Sequence, residues 1–405
     1  MGVHSLPDPI PVNHRYRYSF FSPMAPAIKR FVCSVVCLAA AAGLSAAAFA
    51  ADTAIRVRVL EASRSVSVEI AGAFSIIDQA SGHVLYQAAG ASARLTSDPQ
   101  GLVFGNRRLA SRDIVIAGEP AVAVSLNKRS YRGTLRCTLL PDGNVRCINT
   151  INVEAYVKGI AIREISHYWP KEALRAHAVV FRTYALYQMR QNKANPFDVT
   201  SDVYSQVYGG KDAERYRISE AVDETKGEVL TYRQALIPAF YHSTCGGATE
   251  DAGELWDMRI GPLAGQICPY CQEAPYYRWK AQVKAKTICR ALRAGGYPCA
   301  EIRDITVISR TASSRAKEIK IGGSGQPVLL SGKTFRALLG ADVIRSTRFQ
   351  VKRAGDGFVF SGEGWGHGVG LCQWGAYAMA KGGSTYVEIL QQYYPGTQLE
   401  TYETF

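Results

Sequence analysis

Past residue 50 the chain has no apolar run approaching the roughly 20 residues that a bilayer-spanning helix needs. It has no block of consecutive lysines and arginines, although Lys+Arg outnumber Asp+Glu by 47 to 34 and the net charge is +13. A basic arm for nucleic acid is therefore not indicated, and the excess charge is spread over a surface suited to an anionic polymer or membrane face. An internal repeat and a low-complexity linker are both missing. So are the G-x-G-x-x-G fingerprint and the Lys-Ser/Thr of a phosphate-binding loop, which removes the usual nucleotide signatures. What remains is an ordinary globular composition, 47% hydrophobic and 20% charged over 405 residues, enough for one large or two smaller cores.

The N-terminus reads as an export signal. Lys29 and Arg30 precede an uncharged Ala/Val/Leu-rich run from Phe31 to Phe49, and Ala48-Phe49-Ala50 has the small-x-small form of a cleavage site. Met24 lies just upstream and is a candidate true start. The alternative is a retained anchor. Residues 1–50 are expected to be removed, placing the protein in the periplasm or at the cell wall. No transmembrane segment would then remain. Export also counts against nucleic acid as a partner and permits disulfides for the eight cysteines that remain.

Residues 51–152 read as a β-rich lobe. Ile55-Arg56-Val57-Arg58-Val59 and Val66-Ser67-Val68-Glu69-Ile70 alternate with period two. A long hairpin around Pro141-Asp142-Gly143-Asn144 should set Cys137 across from Cys147, and a cross-strand disulfide is expected there, with two buried thiols as the alternative. Helical periodicity then takes over in 153–400. A short amphipathic stretch from Val153 to Ile160 is followed by a longer helix opening at Trp169-Pro170, with Leu174, Ala178, Phe181 and Ala185 on its buried stripe and His177 and Arg182 on its flanks. Strands return over about 301–361, and two short helices close the chain. The expected class is α+β.

Four stretches carry candidate chemistry. In residues 153–186, Glu164 lies between Ile160–Ile162 and Ile165. A carboxyl in apolar surroundings holds its proton near neutral pH and suits a general acid; spacing alone equally allows a surface or capping glutamate. In 198–210, Gln206 and Tyr208 precede Gly209-Gly210 and could meet sugar hydroxyls, or simply form a tyrosine-rich turn. In 240–271, His242 and Cys245 are followed by Cys268 and Cys271, two chelating pairs at zinc-ligand spacing. These three cysteines and one histidine could close a tetrahedral site that staples a loop-rich insertion at about 245–300. Disulfides are the rival, and a further possibility places His242 in the active site instead. Cys289 and Cys299 look like a separate loop-closing disulfide. In 362–376, five glycines surround Trp365 and His367 just before a helix; His367 is a candidate ligand contact or a buried structural residue.

Together V-E-A-Y-V-K-G, W-P-K-E-A-L-R-A-H-A-V-V-F-R-T-Y-A, Q-V-Y-G-G, F-Y-H-S-T-C-G-G and G-W-G-H-G-V-G-L-C-Q-W-G-A resemble the stage II sporulation protein D (SpoIID) family, which includes the amidase enhancers, over about residues 54–400. The resemblance implies a lytic transglycosylase cutting peptidoglycan glycan strands stripped of stem peptides, with Glu164 as the catalytic acid. The enhancer branch implies instead a non-catalytic wall-binding protein that stimulates a cell-wall amidase. Some members bind zinc near F-Y-H-S-T. Cys245 stands where many members have serine, which favours zinc here, and Arg163 beside Glu164 would lower its pKa if it pointed inward. Transglycosylation needs one carboxyl only, because the muramoyl C6 hydroxyl replaces water as nucleophile. Arg182, Gln206, Tyr208, His242 and His367 are the candidates for sugar contacts or for orienting Glu164. A zinc hydrolase is disfavoured, since a closed four-ligand site offers no open position.

Overall fold

The computed structural model describes residues 53–402; the expected signal segment at 1–50 lies outside them. The β-rich lobe is built from two sheets sharing one core. The alternation read in the sequence is realised: Ile55 and Val57 are buried on one face of strand Ala54–Ser63 while Arg56 and Arg58 stay on the other. That strand sits near one edge of a seven-stranded sheet, pairing antiparallel with Val145–Asn152 and parallel with Val199–Thr200. A six-stranded sheet packs its Val66, Val68 and Leu95 into the same interior.

The hairpin of Thr134–Leu139 and Val145–Asn152 sets Cys137 directly opposite Cys147, as expected, but the disulfide is not formed: the two sulfurs lie 3.4 Å apart as buried thiols. Side chains of a cross-strand pair run alongside each other, whereas a disulfide needs a near-perpendicular Cβ–S–S–Cβ twist. The facing sulfur and burial push the Cys137 thiol well up.

Helix α1 spans Val153–Glu164, longer than the stretch read from the sequence, and is capped by Asn152, whose side chain accepts from the Glu154 and Ala155 amides. Helix α2, Lys171–Gln191, begins just after Pro170 and is buried almost all round from Ala173 to Leu186, so His177 and Arg182 lie inside rather than on its flanks. Helices α3 (Tyr216–Glu224) and α4 (Ala252–Trp256) follow.

Residues 278–363 carry a second hydrophobic core, from Trp279 and Val283 to Phe358 and Phe360. Two three-stranded sheets and helices α5 (Ala285–Ala294) and α6 (Gly332–Leu339) enclose it. The Cys289–Cys299 disulfide expected from the sequence closes the turn after α5. The chain then returns to the first core through α7 (Gln373–Lys381) and α8 (Tyr386–Tyr393). The architecture is α+β. No helix among the described residues is long and apolar enough to cross a membrane.

One short pairing positions the site. Tyr241–His242 runs parallel to Leu371–Cys372, and isolated bridges join Thr244 to Trp365 and Glu250 to Val369. Two motifs more than a hundred residues apart thus lie side by side.

Candidate functional site

Glu164 is the last residue of α1 and is only 5% exposed. Its Oε1 accepts from the Val207 amide at 3.1 Å, and the Tyr241 hydroxyl also bonds to the carboxyl. Burial pushes its pKa up to about 7 against the pull of those two donors. The C-terminal end of α1 acts in the same direction as burial, because the negative end of the helix dipole disfavours a second negative charge. Arg163 is exposed and packs over Gly209, so it does not face the carboxyl.

The Val207 amide reaches Glu164 because the chain can lie flat on α1. Gly159 presents no side chain at the crossing: a Cβ there would stand 2.5 Å from the Tyr208 ring. Its carbonyl instead accepts from the Gly209 amide at 3.0 Å. Gln206, fully buried, then bridges outward from the carboxyl. Tyr156 donates to its Oε1 at 3.2 Å, and its Nε2 donates to the Tyr241 hydroxyl at 3.4 Å. Gln373, at the start of α7, donates to the Glu164 carbonyl at 3.4 Å. The structure therefore brings Glu164, Gln206 and Tyr241 into one polar network inside an aromatic wall.

Other expected residues are placed differently. Arg182 is fully buried and forks onto Glu154 at 2.7 and 2.8 Å, with further bonds to the Glu228 and Val222 carbonyls, which occupies its guanidinium in holding α1, α2 and α3 together. Tyr208 is buried with its hydroxyl on Asn149 at 3.0 Å. The His367 Nε2 lies 2.9 Å from the Tyr241 carbonyl, and its Nδ1 accepts from the Val369 amide at 3.1 Å. It thus holds the segment that carries Tyr241.

The chelating set also differs from the one read off the sequence. Cys245, Cys268 and Cys271 converge, but the fourth group is Cys372, not His242; all four sulfurs lie within 4.8 Å of one another and all are buried. Tetrahedral zinc with bonds near ~2.3 Å requires sulfurs about 3.8 Å apart, and the Cys245–Cys271 separation is 3.4 Å, so the set fits an ion held by four cysteines. Amides point at the sulfurs as they do around bound metal: Cys245 and Gly375 donate to Cys372, and Gly247 donates to Cys245. His242 instead sets Nδ1 3.1 Å from the Val369 carbonyl. Burial, with the positive Arg315 guanidinium nearby, holds its pKa well below the usual range.

Tyr241, Gln373 and Cys372 are the residues sequence reasoning missed. Each lies within a quoted motif, but only the parallel pairing of the two motifs shows what it faces.

The sequence profile described as stage II sporulation protein (SpoIID) matches residues 141–232, the stretch that holds Glu164, α2 and Gln206. A second profile, described as a domain of unknown function (DUF8618), matches residues 270–370, close to the limits of the second core. The stage II sporulation protein D of Bacillus subtilis is 30% identical over 273 residues, covering 64% of this chain and 77% of that protein. The chain belongs to the stage II sporulation protein D family. An uncharacterised protein of Brachyspira hyodysenteriae is 31% identical over 361 residues, spanning 88% of this chain and 95% of its own length. The amidase enhancer of Bacillus subtilis is 29% identical over 294 residues, and the match spans 40% of that longer protein.

Proposed function

We propose that the protein is an exported cell-wall lytic transglycosylase that cuts the glycan strand of peptidoglycan between N-acetylmuramic acid and N-acetylglucosamine. The observation that carries this reading is the buried Glu164 carboxyl, with its pKa raised to about 7. That value is matched to giving up a proton and taking one back at neutral pH. The Val207 amide donates to Oε1 and the Tyr241 hydroxyl to the same carboxyl, which fixes its orientation. Glu164 protonates the glycosidic oxygen as the C1–O bond breaks. The carboxylate left behind removes the proton from the muramoyl C6 hydroxyl, whose oxygen closes onto C1 as a 1,6-anhydro ring. Glu164 ends protonated, ready for the next cut. No water enters, which fits a site with one buried carboxyl rather than the pair a hydrolase uses. Gln206 holds the Tyr241 hydroxyl that bonds to the carboxyl.

The cysteine cluster is read as a structural zinc centre, held by Cys245, Cys268, Cys271 and Cys372. Bound there, the ion ties the cysteine-bearing loops to the start of α7; with four protein ligands it has no position open to substrate.

The kinship with an amidase enhancer supports a second reading, a non-catalytic protein that binds wall glycan and stimulates an amidase. Digestion of peptide-free glycan strands in oxygen-18 water separates the two. Transglycosylation gives new chain ends without label. Labelled ends would mean hydrolysis, and no new ends would leave the enhancer reading.

A further inference from the structure

The second core reaches the cysteine cluster through the tip of one hairpin. Strands Ile302–Arg310 and Ala316–Gly323 pair antiparallel, and residues 311–315 turn between them. Arg315 leaves this turn for the loops of the first core and is 1% exposed. Its Nη2 donates to the Cys245 carbonyl at 2.7 Å, and its Nη1 to the Ala248 carbonyl at 3.0 Å and to Ser313 Oγ at 2.8 Å. Gly368 makes room for the guanidinium: a Cβ there would stand 2.5 Å from Cζ, and the backbone has φ 95°. A glycine of the Gly-Trp-Gly-His-Gly loop is thus required by a side chain of the second core.

A buried guanidinium needs an opposite charge, yet all three of these hydrogen bonds go to neutral oxygens. The charged groups that act on Arg315 are Glu250, Cys245, Arg348 and Cys372. Arg348 is paired with Glu363 at 3.0 Å. Glu250 has one oxygen on the Asp251 amide at 3.0 Å and the other on the Thr311 hydroxyl at 2.7 Å. Cys245 and Cys372 are two of the four sulfurs of the cluster. Four thiolates on one divalent ion leave two negative charges over, and Arg315 sets a cation against the loop that carries one of them.

We propose that Arg315 is the counter-charge of the cysteine-held centre, so that zinc loading and docking of the second core on the first are linked. This rests on the zinc reading of the cluster above and goes beyond a local staple. Linkage is reciprocal: if the docked guanidinium tightens zinc, zinc tightens docking by the same factor.

The test uses the full chain under reducing conditions, as wild type, Arg315→Gln and Arg315→Lys. Zinc affinity is measured by competition with a chromophoric chelator. Glutamine can still donate to the Cys245 carbonyl but carries no charge, and lysine keeps the charge. Arg315→Gln should weaken zinc by about 10–100-fold, the range for groups around a metal's ligands, and Arg315→Lys should keep most of the affinity. Hydrogen exchange on wild type avoids any folding defect of the variants. The Thr311, Ser314 and Ala316 amides bond within the second core, to Arg315, Thr311 and Thr347 carbonyls, and should exchange faster once zinc is chelated. Wild-type affinity in Arg315→Gln, equal loss in both variants, or unchanged exchange at these amides would each overturn the linkage while leaving the zinc centre standing. A wild-type chain that binds no zinc would overturn the zinc reading itself, and the linkage with it.

Discussion

Glu164 binds its proton more tightly in the folded chain than in the unfolded one, with a pKa raised from 4.5 to about 7. Because the folded-state value is the higher one, its contribution favours folding below about pH 4.5 and is lost as pH rises through 7. At higher pH the buried carboxylate costs about 3 kcal/mol. Glu164→Gln keeps the shape and removes this cost. The variant should be more stable than wild type by about 1–3 kcal/mol at pH 8 and nearly equal at pH 4.5, as measured by denaturant unfolding at both values. Activity should fall as pH rises through 7, because the acid must carry its proton. Arg182 makes the opposite kind of prediction. Removing it strands the Glu154 carboxylate, so Arg182→Ala should cost about 3–5 kcal/mol in unfolding free energy. Glycan affinity of the folded fraction should be unchanged. The acidity of Glu164 was legible in the sequence from Ile160 and Ile165 on either side. The role of Arg182 was not, because its partner Glu154 lies 28 residues away and only the packing of α1 on α2 selects it.

At the scale of elements, the site depends on the Gln206–Gly210 segment lying flat on α1. Gly159→Ala places a methyl group against the Tyr208 ring. It should destabilise the fold by about 1–3 kcal/mol and lower kcat by drawing the Val207 amide from Glu164, while Gly143→Ala in the distant hairpin should affect stability alone. Comparison of unfolding curves and rates for the two variants checks this. The loop cluster depends on its four sulfurs. Cys372→Ser should drop zinc below one ion per chain, with affinity weakened beyond the roughly 10–100-fold typical of outer partners, whereas His242→Asn should leave the ion bound; elemental analysis of both proteins decides. The C-x-x-C spacing pointed to Cys268 and Cys271 directly. Cys372 was hidden because it joins them only through the parallel pairing of Tyr241–His242 with Leu371–Cys372.

Across the whole molecule, two cores meet at buried polar contacts. Arg315, from the second core, is 1% exposed and donates to the Cys245 and Ala248 carbonyls at 2.7 and 3.0 Å. Thr311 donates to Glu250 at 2.7 Å. The period-two alternation of residues 55–70 made the β-rich lobe readable in advance. The strands over 301–361 were readable too, but strand Arg278–Lys284 and helix α5 fall in the stretch read as loop-rich, and α5 and α6 bury only a few residues each. The joint between the cores sets Arg315 against the loop that carries Cys245. The central claim is that Glu164 alone performs the acid and base steps of a cut that uses no water. Mass analysis of purified peptide-free glycan strands after incubation with wild type and with Glu164→Gln tests it most directly. The account predicts 1,6-anhydro-ended fragments from wild type and none from the variant. Equal anhydro product from both proteins, or none from wild type, would contradict it.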